Sequence, residues 1–141
     1  MATTREAATH WEGSLMEGKG NVTLTSSGIG AFDVNWPARS AEPNGVTSPE
    51  ELIAAAHSTC YSMALSHGLA QAGTPPTTID TRAEVDFQPG TGITGIRLFV
   101  RASVEGISVE DFLAAAEGAK TNCPVSQALA AVPITLTAEL V

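Results

Sequence analysis

Thr47–His67 reads TSPEELIAAAHSTCYSMALSH. Ser48 supplies a capping hydroxyl, Pro49 takes the first helical position and Glu51 stands three residues past the cap, the order that starts a helix. Leu52, Ile53, Ala56, Cys60, Met63 and Ala64 then recur at helical spacing. Gly73-Thr74-Pro75-Pro76 ends the run after about six turns. The result is a long helix built for burial with an oxidisable thiol at its middle, and its counterpart thiol, Cys123, lies far along the chain.

Working outward, the residues before this helix are Gly-punctuated. THWEGSL, GNVTLTSSG and IGAFDVNWP are each bounded by turn formers and predict hairpin strands. Ala38–Val46 contains Pro43 and Asn44-Gly45 and predicts a loop that carries Arg39. Beyond the helix, Arg82–Phe87 and Ile96–Ala102 alternate strictly around a Gly- and Pro-containing turn, which predicts an antiparallel pair with one wet face. Ser108 caps a second helix, with Asp111 at the capping-box position and Val109, Phe112, Leu113 and Ala116 as its core stripe. Pro124 disfavours helical geometry at Cys123, so that cysteine is expected at a kink before VSQALAA resumes the helix. Val132–Val141 alternates as a closing strand. The order β-β-β-α-β-β-α-β predicts an α+β fold in a single domain over residues 1–141.

Bulk properties narrow the partners. Charged residues make up 16% of the chain, against about a quarter in an average domain, so much of the surface is expected to be covered by protein, as in a homodimer. A net charge of −8 repels a nucleic-acid backbone and an anionic membrane, and neither is an expected partner. The N-terminal MATTREAATHWEG lacks an apolar core and no window approaches a spanning length, so the protein is expected to be cytoplasmic. In that reducing setting the two cysteines are expected to be free thiols at rest.

What those thiols do is open on the residues alone. A cysteine on an apolar helix stripe is often a small buried hydrophobe, whereas one at a broken helix end can be presented for chemistry. Two such thiols invite a peroxidatic and resolving pair. Their wide separation excludes a C-x-x-C redox motif. His57, one turn before Cys60, gives with Cys60 and Cys123 a weak H-x-x-C metal pattern without an evident fourth ligand, and its plainer reading is a packed, hydrogen-bonded helix residue. A reactive thiolate needs a neighbouring cation. Arg39, in the loop before the helix, is the candidate, and a carboxylate would hold its planar fork. Glu51 is assigned to the backbone amide of Ser48 as a capping box, which leaves Glu50. Ten residues of helix separate Glu50 from Cys60, a rise of about 15 Å, so a contribution of Glu50 to a Cys60 site calls for a second subunit. Leu52, Ile53, Met63 and Phe112 are candidates for an apolar pocket.

Together, SPEELIAAAHSTCYSMALS, NCPVSQALAAVPITL, WPAR and HWEG resemble the osmotically inducible protein C and organic hydroperoxide resistance family (OsmC/Ohr) from about His10 to Leu140, closer to the OsmC branch. The resemblance implies a cysteine-based peroxidase that reduces organic hydroperoxides, and hydrogen peroxide less well, without metal or cofactor. It implies an intertwined homodimer with two long central helices wrapped by sheets. By matching positions, Cys60 is the peroxidatic residue, Cys123 the resolving one, Arg39 the activating cation and Glu50 its carboxylate partner, with a dithiol, such as a lipoyl protein, as reductant. Tyr61 is a departure whose hydroxyl is expected to make the pocket more polar. A non-catalytic redox sensor and a stress-related interaction dimer are the competing functions.

Overall fold

Ile96, Leu98, Val100 and Ala102 point to one face of a strand and Arg97, Phe99 and Arg101 to the other, a period of two that builds a half-buried sheet. In the computed structural model, which describes Met1–Val141, this strand is the centre of the larger of two sheets. The elements in order are β1 (Ala8–Glu12), β2 (Lys19–Thr23), β3 (Ala31–Val34), α1 (Trp36–Ser40), α2 (Pro49–Gln71), β4 (Thr78–Gln88), β5 (Gly92–Ser103), α3 (Val109–Asn122), α4 (Pro124–Ala128) and β6 (Ile134–Leu140). The expected α+β class and strand–helix order stand, with two short helices added. The chain divides into two compact units, Met1–Leu52 and Ile53–Val141.

The first unit carries the antiparallel sheet β1-β2-β3 and α1. Helix α1 replaces the start of the expected loop and takes Arg39 into its last turn. Its cause is local: the side chain of Asn35 accepts from the backbone N–H of Ala38 at 2.8 Å, and Pro37 sits in the first turn, where its missing N–H costs nothing. The same unit contains the start of α2. Ser48 Oγ accepts from the Glu51 N–H at 3.2 Å as expected, but the Glu51 carboxylate takes the Thr47 hydroxyl at 2.5 Å instead of the Ser48 amide, so only half of the capping box forms.

The second unit holds a dense core. β4 and β5 pair antiparallel from Thr78↔Ser103 to Gln88↔Gly92, and β6 returns parallel to β5 through α3 and α4, the crossover that a parallel pair requires. Ile96, Leu98, Val100 and Ala102 pack with Tyr61, Leu65 and Leu69 of α2 and Phe112 and Ala119 of α3. On the outer face, Arg97 bonds Glu84 at 2.9 Å and Asp86 at 2.6 and 2.9 Å, and the Arg82 guanidinium lies 4.0 Å from the Phe99 ring centre. This is the wet face expected of the pair. No helix is long and apolar enough to cross a membrane.

Two expected stripes are rotated. Helix α2 buries His57, Tyr61, Leu65 and Leu69, a row spaced by four residues, while Met63 is exposed. Tyr61 can enter the core because its hydroxyl donates to the Ala116 carbonyl at 2.9 Å. On α3, Phe112, Ala116 and Ala119 are buried but Val109 and Leu113 are exposed. Apolar residues on several sides of both helices gave the periodicity more than one solution.

Candidate functional site

Cys123 closes α3 and opens α4. Proline at position 124 forces an extended ψ of 122° at Cys123, which breaks the helix there. The Cys123 N–H still donates to Ala119 O at 2.9 Å, and its carbonyl accepts from the Gln127 N–H at 3.0 Å. The cysteine is thus held at a sharp corner, fully buried, with its side chain directed at α2. Cys60, on α2, is half-buried and neighbours it: the Cys123 thiol and the backbone N–H of Val125 both act on the Cys60 sulfur. Both cysteines are free thiols.

The electrostatics of Cys60 within this unit oppose ionisation. Burial pushes its pKa up, and the hydrogen bond to Cys123 and the charge of Cys123 add to that; the Val125 N–H, which stabilises a thiolate, works in the other direction. Tyr61 is raised as well, first by burial and then by the charges of Glu117 and Cys123, so its phenol stays neutral. Its hydroxyl is committed to Ala116 and does not reach a pocket, contrary to the expectation of a more polar site.

His57, one turn before Cys60, is fully buried, and its Nε2 lies 2.7 Å from Ser126 Oγ on α4. Its Nδ1 is buried without a hydrogen-bond partner. Burial lowers the His57 pKa, which keeps the imidazole neutral. No three His, Cys, Asp or Glu side chains converge so as to hold a metal ion. Ser126 and Val125 went unassigned in the sequence; their only signal was the position of Ser126 one helical turn beyond Cys123.

The other two candidates meet in the first unit. Arg39 Nε donates to Glu50 Oε1 at 2.6 Å and to Oε2 at 3.2 Å, and Glu50 is almost fully buried. Such a charge-assisted pair fixes the guanidinium. Beside it lies a groove of about 360 Å³ lined by Trp11, Leu15, Val22, Trp36, Arg39 and Leu52 among others, apolar apart from the arginine and a few hydroxyl and amide groups. Of the four expected pocket residues only Leu52 lines it; Phe112 is core, and Met63 edges a shallow hollow with Ser62, Ser66 and His67. Four site candidates therefore form two pairs, one in each unit.

Comparison with known proteins gives the setting. Residues 42–137 match the family model described as OsmC-like protein. Peroxiredoxin OsmC of Escherichia coli (strain K12) is 41% identical over 99% of both chains, as is Peroxiredoxin OsmC of Shigella flexneri. The fold matches the organic hydroperoxide resistance protein OsmC of Legionella pneumophila at a TM-score of 0.73 and 22% identity, covering 99% of this chain and 98% of that one. It also matches the organic hydroperoxide resistance protein OhrB of Bacillus subtilis at a TM-score of 0.64 and 22% identity, covering 96% and 98%. The chain thus belongs to the OsmC family, on the branch of the peroxiredoxins named OsmC, which are cysteine-based peroxidases.

Proposed function

We propose that the protein reduces organic hydroperoxides to alcohols through a Cys60 sulfenic acid and a Cys60–Cys123 disulfide. The observation that carries this reading is that the two free thiols are neighbours across α2 and the α3–α4 corner, near enough for Cys123 to act on the Cys60 sulfur, as a pair that closes to a disulfide must be. The Cys60 thiolate attacks one peroxide oxygen, the O–O bond breaks, and the alkoxide leaves and takes a proton to become the alcohol. Cys123 then displaces the hydroxyl as water, and an external dithiol, a lipoyl protein being one such reductant, restores both thiols by exchange. The free resting thiols suit a cytoplasmic, reducing setting.

Arg39 acts as the activating cation and Glu50 orients it, which offsets the burial that raises the Cys60 pKa. Because ten residues of α2 separate Glu50 from Cys60, a rise of about 15 Å, a second copy of the chain supplies the pair in a homodimer. The exposed Trp11, Leu15, Met16, Ile29 and Phe32 of the first unit support such a covering partner. The apolar groove beside Arg39 favours a hydroperoxide with a hydrocarbon tail over hydrogen peroxide, and the names of the related hydroperoxide resistance proteins agree with that preference. Consumption of cumene hydroperoxide in the presence of dihydrolipoamide tests the reading: Cys60→Ser is expected to abolish it in a folded protein, and unchanged consumption would overturn it. The raised Cys60 pKa favours a second reading, a redox sensor without turnover. Repeated turnover under excess dithiol excludes that sensor.

A further inference from the structure

His57 and Ser126 are, with Glu50, Tyr61 and Cys123, the buried side chains of ionisable or polar type in the chain, and they are bonded to each other across two helices. Burying them is costly unless the bond is made, and even so His57 Nδ1 stays without a partner. Two apolar side chains of similar volume would fill the space without either cost. The arrangement therefore calls for a use beyond packing.

Its place suggests the use. His57 precedes Cys60 by one helical turn on α2, and Ser126 follows Cys123 by one turn on α4, so the bond joins the two turns that carry the thiols. Helix α4 has five residues, and no side-chain cap holds its start. The backbone N–H that reaches the Cys60 sulfur belongs to Val125, the residue next to Ser126. A bare Nδ1 costs less than a buried, unpaired N–H, so the ring proton sits on Nε2, which donates to Ser126 Oγ.

We propose that the His57–Ser126 hydrogen bond is a latch that holds the Cys123–Val125 turn on Cys60 and sets the rate at which the two sulfurs join. His57 is then a positioning residue for the resolving step, in which the Cys60 S–O bond breaks, the S–S bond forms, and the hydroxyl leaves with the Cys123 thiol proton as water. The inference rests on Cys60 being the sulfur oxidised first. Misplacing a reacting group by about 1 Å costs up to about 100-fold in rate, so a released turn slows this step most; it withdraws from Cys60 both the Val125 N–H, which favours the thiolate, and Cys123, which opposes it, and the attack on peroxide changes less.

The test is a single turnover with one equivalent of cumene hydroperoxide, in which peroxide loss, disulfide formation and dimedone trapping of the sulfenic acid are followed together. In Ser126→Ala and His57→Leu, disulfide formation is expected to slow by about 10-fold or more, peroxide loss to change by much less, and the dimedone adduct to accumulate at Cys60. His57→Gln, whose amide can donate from the place of Nε2, is expected to restore disulfide formation, which a merely structural loss would not allow. Unchanged disulfide formation in both variants, or equal slowing of both steps, would overturn the latch. Diamide, which takes up the two electrons and two protons itself, closes the same cysteine pair without a hydroperoxide, and the same slowing is expected there. Normal closure of the variants by that route overturns the latch, whereas failure of the unaltered protein to consume hydroperoxide overturns the peroxidase reading alone.

Discussion

Ile53–Val141 folds around a continuous apolar cluster from Tyr61 to Cys123, and its central strand β5 buries every second residue. Met1–Leu52 buries only Val22 and Ala38 among its apolar side chains and leaves Trp11, Leu15, Met16, Ile29 and Phe32 in contact with solvent. One unit is held by its own core, while the other is a thin sheet and short helix that leave most of their large apolar side chains exposed. The division also runs through the chemistry, since the thiol pair sits in the unit with the core and the guanidinium–carboxylate pair in the unit without one. Partial burial and the neighbouring Cys123 make Cys60 hard to ionise, and the cation proposed to correct this stands on the unit with the exposed apolar side chains. Catalysis and assembly are thereby expected to depend on each other.

Several substitutions break or sharpen this contrast. The largest effect is expected of Arg39→Met or Glu50→Gln, each lowering the rate of hydroperoxide reduction by about 100-fold or more while raising the Cys60 pKa, read from thiolate absorbance. A shared pKa with the unaltered protein would detach the first unit from the chemistry. Phe112→Ala is expected to destabilise the second unit by about 3–5 kcal/mol in urea unfolding, because Phe112 is fully buried among core side chains. Phe32→Ser, on the exposed sheet, is expected to act through assembly, making the melting temperature lower and more dependent on protein concentration. Effects of less than about 0.5 kcal/mol that do not change with concentration would mean that no second copy covers the sheet.

A pH experiment isolates the latch. His57 has a folded pKa below its unfolded value because it is buried as the neutral ring. The unfolded state therefore binds the extra proton first as pH falls, so the stability that neutral His57 allows is full above about pH 6.5 and is lost as pH drops toward the folded pKa. Over that window His57→Gln is expected to lose less stability than the unaltered protein. The smallest effect belongs to the outer face of β4 and β5. The Arg97 guanidinium holds the carboxyls of Glu84 and Asp86 below the usual range, chiefly through its hydrogen bonds. Arg97→Met is expected to raise both pKa values, as read by carboxyl NMR, with little change in stability at neutral pH because the pair is exposed. Stability that the ion pairs do supply is present above about pH 4 and lost as pH falls through the lowered values.

Much of the fold was legible because period and punctuation agreed. The alternation of β5, the cap at Ser108 and the proline after Cys123 each pointed to the structure that forms. Helix α1 is hard to read because Pro43 and Asn44-Gly45 dominate the segment, although Asn35 and Pro37 carry a start signal of their own. The buried face of α2 is not fixed by the sequence because alanines on several sides make its period ambiguous, and Tyr61 outranks Met63 for burial only because its hydroxyl finds the Ala116 carbonyl. The cysteines were legible as motifs. The His57–Ser126 bond was not, because it joins residues 69 positions apart on two helices, and nothing local signals that meeting.

The most direct measurement is thiol mapping by mass spectrometry after one equivalent of cumene hydroperoxide is added to the reduced protein. Loss of both free thiols with a Cys60–Cys123 link inside one chain, matched by one equivalent of alcohol formed, is the expected result. Alcohol formed while Cys123 remains alkylatable and Cys60 is linked elsewhere, or no alcohol at all, would contradict the account.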